Sequence, residues 1–157
     1  AVPDKRFTFD YLRQETSLTE VVNAYAQGTR VPMPHSVLDN YLNVRKLDLV
    51  KAWERTLDEK SLERFHDPDF AIQAAKDVAA QGMYHEVHCW AFTPWSFANL
   101  FERLGELGLF NFSCAGYFDT EPYTFEFFVT LSECADRAQV VESWRLMADT
   151  LAVRSAH

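Results

Sequence analysis

The 157-residue chain has no apolar run approaching the roughly 18 residues of a membrane span. Nor does it have a basic start followed by an apolar stretch and a small-residue cleavage site. It therefore reads as a soluble protein with no visible address and no membrane partner. Cysteine is scarce: Cys89, Cys114 and Cys134 form no CxxC pair, so neither a disulfide framework nor a zinc knuckle is indicated. The expected compartment is the reducing cytoplasm. Lys and Arg number 15 against 23 Asp and Glu, a net charge of −8, and no dense cationic stripe occurs. Nucleic-acid affinity rests largely on clustered cations, so no nucleic-acid partner is expected, and a small molecule or another protein is favoured. GxSxG, a P-loop and GxGxxG are all missing, so no motif by itself names a reaction.

What is present is a 48% hydrophobic composition sufficient for one core-bearing unit spanning 1–157. Ser17-Leu18-Thr19-Glu20 has the capping-box form and precedes Leu18, Val21, Val22 and Tyr25 at helical spacing, up to Gly28. Pro32 and Pro34 make 29–34 an extended connector. Val37, Leu38, Tyr41 and Leu42 form the stripe of a second helix, which Leu47, Val50 and Trp53 continue after a bend that the sequence does not locate. Asp67-Pro68 starts a helix with Ile72, Ala75 and Ala79 on its small-residue face and Gly82 at its end. The stripe Tyr11, Tyr25, Tyr41 and Trp53 reads as helix core. Residues 11–83 are thus mostly helical.

Residues 84–92, rich in aromatic and β-favouring types between Gly82 and Pro94, read as a strand. Thr93-Pro94 caps a helix carrying Phe97, Leu100, Phe101, Leu104 and Leu107. Phe110, Phe112 and Cys114, then Phe125, Phe127, Val129 and Leu131, alternate as two strands joined closely enough to pair antiparallel. These strands complete the region 84–132, and 133–157 is a terminal amphipathic helix. The chain therefore reads as α+β: a helical cap, then a strand, a helix and an antiparallel hairpin, then the last helix. So thin a sheet for so much apolar surface calls for a missing half of the same chain or a homodimer partner. The opening Ala1-Val2-Pro3-Asp4-Lys5-Arg6, a strand end running into a charged turn without an initiator Met, leaves two readings open: a trimmed start, or a part of a longer chain.

The candidate chemistry lies in His85-Glu86-Val87-His88. On a strand, His85 and His88 point to opposite faces, so no metal site is expected. Glu86 and His88 share a face, where a carboxylate can orient an imidazole that takes a proton from a substrate hydroxyl. The competing reading is a structural histidine beside Trp90, and the sequence leaves both open. Lys5 and Arg6 read either as a solvated turn or as charge placed near a ligand. Cys114, alternating with Phe residues, reads as a small core residue.

Taken in order, three stretches resemble the C-terminal half of bacterial class I S-adenosylmethionine-dependent methyltransferases of the type 11 sort. Val2 to Asp10 looks like the end of the fifth strand with its turn; His85 to Phe97, reading HEVHCWAFTPWSF, looks like the approach to the next helix; Phe125 to Leu131, FEFFVTL, looks like the last strand. The resemblance implies a Rossmann-like α/β parent fold, and it makes the helices from Tyr11 to Gln81 a cap over the substrate site. It also implies His88 as base with Glu86 behind it, and Lys5, Arg6, His85 and Trp90 facing a small-molecule or glycan substrate. The family's glycine-rich loop and acidic cofactor residue are not in this sequence, so S-adenosylmethionine is expected in the parent enzyme and not on this chain alone. The alternatives are a self-contained α+β binding or interaction module, possibly homodimeric, and last a hydrolase using His88 and Glu86.

Overall fold

The computed structural model describes residues 1–155. Their contacts fall into two units, one of Ala1–Asp4 with the chain from Phe92 onward and one of Lys5–Ala91, where the sequence suggests a single unit subdivided near 83 and 132. Among the described residues, six α-helices and a small three-stranded antiparallel sheet make the fold α+β. Among the described residues no helix is long and apolar enough to cross a membrane.

In the first unit, strand β1 (Val2–Pro3) pairs antiparallel with β3 (Glu126–Glu133), and β3 pairs antiparallel with β2 (Phe112–Phe118). The sheet order is β1-β3-β2, with a bulge between Cys114 and Gly116. The hairpin forms because alternation puts Phe127 and Val129 on one face. Helix α5 (Pro94–Glu106) covers that face, Phe97 meeting Phe127 at 5.5 Å between ring centres. Thr93 caps α5 reciprocally with Ser96, as the Thr93-Pro94 pair leads one to expect. Helix α6 (Arg137–Ser155) buries Val140, Trp144, Met147, Ala148 and Leu151 against α5 and β2, and Trp144 stacks on Phe101 at 5.0 Å. Close approach of the two helices depends on Gly105, where a Cβ would stand 3.1 Å from the Val140 side chain. The outer edge of β2 is not left bare, because Trp144 Nε1 donates to Phe112 O at 2.9 Å and Cys114 N donates to Ser143 Oγ at 3.0 Å.

At the end of β1, Asp4 is fully buried, and Thr120 Oγ1 donates to its Oδ2 at 2.8 Å. This contact ties the β2–β3 connection to β1. We expect Thr120→Val to lower stability by about 1–3 kcal/mol, since a buried carboxyl loses a donor, and Thr120→Ser to restore most of it. Urea midpoints of the two variants check this, and equal midpoints would remove the role assigned to the hydroxyl.

In the second unit, helix α1 (Leu18–Ala26) carries the full capping box: Glu20 N donates to Ser17 Oγ, and Ser17 N donates to the Glu20 carboxylate at 2.7 Å. Helix α2 (Pro34–Asn43) begins on Pro34, and the unlocated bend falls at Val44, whose extended backbone leads to α3 (Leu49–Trp53), capped by Asp48. Helix α4 (Pro68–Gln81) starts at the Asp67 cap and stops at Gly82, which takes the left-handed conformation at φ 64°.

Three expectations fail here. The buried face of α4 is Ala71, Ala74 and Val78, one residue out of step with Ile72, Ala75 and Ala79, because Val37 of α2 packs on Ala74 and Val78, and Ile72 is left exposed. The supposed stripe of helix-core aromatics is no stripe: Tyr25 is 71% exposed, and Trp53 stacks face to face on Phe7 at 3.9 Å. Finally, 84–91 is not a strand. β-Favouring side chains do not make a strand without a neighbour to pair with, and several polar groups of this segment bond to 13–16 instead.

Candidate functional site

The residues 5–13 form a run of tight turns. Lys5–Phe7 is one turn of 3-10 helix; Tyr11 N then donates to Thr8 O at 3.1 Å and Arg13 N to Asp10 O at 2.8 Å. This winding brings the side chains of Asp10 and Arg13, three residues apart, onto each other. The segment 84–91 is registered against the same run: Thr16 N donates to Ala91 O at 3.0 Å, Ala91 N to Thr16 Oγ1 at 2.9 Å, and Arg13 Nη2 reaches Cys89 O at 3.5 Å. That register sets His88 opposite Asp10.

The resulting arrangement is an imidazole held by a buried carboxylate. His88 Nδ1 lies 2.7 Å from Asp10 Oδ2; the Asp10 side chain is 2% exposed and the His88 side chain 40%. The other oxygen of Asp10 accepts from Arg13 Nη1 at 2.8 Å, and Arg13 Nε donates to Asp39 Oδ2 at 2.7 Å. Burial weighs against the charge on Arg13, but the hydrogen bonds to Asp10 and Asp39 outweigh it, so the guanidinium holds its proton more tightly than usual. The pairing suits the neutral tautomer of His88 in which Nδ1–H donates to the carboxylate and Nε2 carries the lone pair. A partly exposed imidazole in that tautomer has the chemistry to accept a hydroxyl proton at Nε2.

Asp10, Arg13 and Asp39 had no assigned part in the sequence reading. The only signal was an acidic and a basic residue at i and i+3 after the apolar Phe7-Thr8-Phe9, which does not point 78 residues along the chain to His88. Glu86, expected behind His88, is exposed; the two shared a face only on a strand, and without that strand Asp10 takes the place. The ring on His88 is Phe9, at 4.7 Å, not Trp90, which lies in the same loop. His85 is turned to Tyr41, its Nδ1 3.2 Å from the phenol oxygen, and its Nε2 is buried without a hydrogen-bond partner. His85 and His88 therefore do not converge, and among the described residues no three His, Cys, Asp or Glu side chains form a group able to hold a metal. No family model, curated protein or solved structure matches this chain.

Lys5 and Arg6 line an open, polar cavity of about 680 Å³ together with Tyr11, Arg13 and Glu59. Lys5 Nζ donates to Tyr11 O at 2.9 Å, and the Arg6 guanidinium lies over Phe7 at 5.2 Å. Arg13 thus belongs both to this cavity and to the Asp10–His88 pair. Cys89 is next to His88 in the chain, but burial pushes its thiol pKa up, with Arg13 opposing, which disfavours the thiolate.

The glycines do not form a cofactor cradle. Gly28, Gly82 and Gly108 follow helices, Gly105 is inside α5 and Gly116 inside β2, so none lies on a turn from strand to helix.

Proposed function

We propose that this chain is the substrate-capping, C-terminal portion of an S-adenosylmethionine-dependent methyltransferase with a Rossmann-like parent fold, and that it supplies the base for a hydroxyl acceptor. The observation that carries the chemistry is the Asp10–His88 pair: a buried carboxylate at 2.7 Å from an exposed imidazole. The acceptor's O–H proton passes to His88 Nε2, and the positive charge that results is held by Asp10. Lys5 and Arg6, on the cavity that Arg13 shares, are hydrogen-bonding groups for a polar part of the acceptor. The family reading draws support from the sheet: β3 is antiparallel to β2, and α5 packs on the hairpin face, the arrangement that the resemblance calls for.

The test is S-adenosylmethionine binding, by equilibrium dialysis with labelled cofactor, to the protein as its source makes it and to the 157-residue chain alone. Binding by the first and not by the second is expected. No binding by either would overturn the reading.

One observation favours the alternative, a binding module that pairs with a second copy. Phe118 and Phe128 are cross-strand partners on the hairpin and are 72% and 49% exposed. A dimer in sedimentation equilibrium, together with no cofactor binding, would move the conclusion there.

A further inference from the structure

The His88 ring is one end of a connected series of rings within Lys5–Ala91. Phe9 lies 4.7 Å from His88, Phe65 is 6.5 Å from Phe9, and His66 is 6.4 Å from Phe65. From His66 the series continues to Phe70 at 5.3 Å and to Tyr41 at 4.6 Å. Exposed aromatic residues scattered singly need no explanation. These are contiguous, and three of them are well exposed: Phe9 at 38%, Phe65 at 50% and Phe70 at 48%. A contiguous exposed ring surface marks a place where something binds.

The chemistry along the series limits what that is. It ends on a base whose natural target is a hydroxyl, so the ligand carries hydroxyls. The His88 and His66 imidazoles are interleaved with the phenyl rings, so the series carries hydrogen-bonding edges beside apolar faces, unlike a purely apolar patch. The protein carries a net charge of −8, which disfavours a polyanion. A neutral ligand with hydroxyl edges and apolar C–H faces satisfies all three conditions, and a saccharide ring has that construction. We infer that the ring series from His88 to Phe70 binds an oligosaccharide chain, which stacks on Phe9, Phe65 and Phe70 and presents one hydroxyl to His88. The inference rests on the reading of His88 as the base and names the acceptor class of that same site.

The probes are soluble neutral hexasaccharides of glucose, galactose, mannose and N-acetylglucosamine, titrated into the full protein by calorimetry. At least one is expected to bind, and saturation-transfer NMR should place the contact on sugar C–H protons. Phe65→Ala and Phe70→Ala should each weaken that binding at least tenfold, while Phe65→Trp, which keeps a stacking face, should retain it. Because Phe65 and Phe70 are half exposed, these variants should keep the fold, which circular dichroism checks. No binding by any of the four sugars, or binding indifferent to both alanine variants, would overturn the inference. The two readings fail separately. Turnover that depends on His88 without sugar binding sinks the saccharide and keeps the base. Sugar binding that depends on Phe65 and Phe70, with turnover indifferent to His88, sinks the base and keeps the saccharide surface.

Discussion

On the proposed function, His88→Asn in the protein as its source makes it is expected to lower methyl transfer from labelled S-adenosylmethionine by about a hundred- to ten-thousand-fold, the range that a positioned general base contributes. The loss falls on kcat more than on KM, because the proton moves in the transition state and not in the bound ground state. Asparagine can still donate to Asp10 Oδ2, and Arg13 still satisfies the other oxygen at 2.8 Å, so the fold has little reason to change. Asp10→Asn should act in the same direction for a different reason: the amide leaves the developing imidazolium without a counter-charge. Turnover unchanged in His88→Asn, with circular dichroism as in the wild type, would take the base role away from His88.

Arg13→Met has the largest expected effect on stability, a loss of about 3–5 kcal/mol. Both Arg13 and Asp10 are 2% exposed at the side chain, so removing the guanidinium leaves the buried carboxylate with His88 alone among its side-chain partners described above and takes a bond from Asp39. The desolvation of a charge that has lost its guanidinium outweighs the gain from an apolar replacement of similar size. Arg13→Lys keeps the charge but cannot serve Asp10, Asp39 and Cys89 O together through a rigid fork, so an intermediate loss is expected. Adding Asp10→Asn to Arg13→Met should recover part of the stability, since the stranded charge is gone. Urea unfolding of the four proteins measures this. A loss below about 1 kcal/mol in Arg13→Met, the range of exposed pairs, would mean that Asp10 is not held as described.

Local rules carried much of the fold. The starts of α1, α4 and α5 were visible as Ser17, Asp67 and Thr93 because a cap is a contact among residues two or three apart, and the hairpin was visible because alternation of Phe and Val is itself the signature of a half-buried strand. What was misread depended on distant partners. Residues 84–91 have strand-forming side chains and no strand to join, and the α4 face was misjudged by one position because Val37, not the pattern of α4 alone, chooses which side is buried. For the site, His88 and the cationic Lys5-Arg6 turn were singled out by residue type. Asp10 was not, since a carboxylate that will orient a base differs from a solvated one only in its neighbours, and those are 78 residues away.

That separation bears on how the site forms and how it can be watched. No strand ladder carries His88 to Asp10; the two irregular segments meet through a few turn and side-chain bonds once the helices between them have packed. Closing so long a loop costs entropy that only those intervening contacts repay, so the pair should be among the last native contacts of Lys5–Ala91 to form and among the first to open. The imidazole protons of His88, hydrogen-bonded to Asp10 only in the closed state, are in that sense a built-in gauge. Their NMR signal during gentle denaturation should fade before the far-ultraviolet helix signal does, reporting the opening of the site while the helices are still intact.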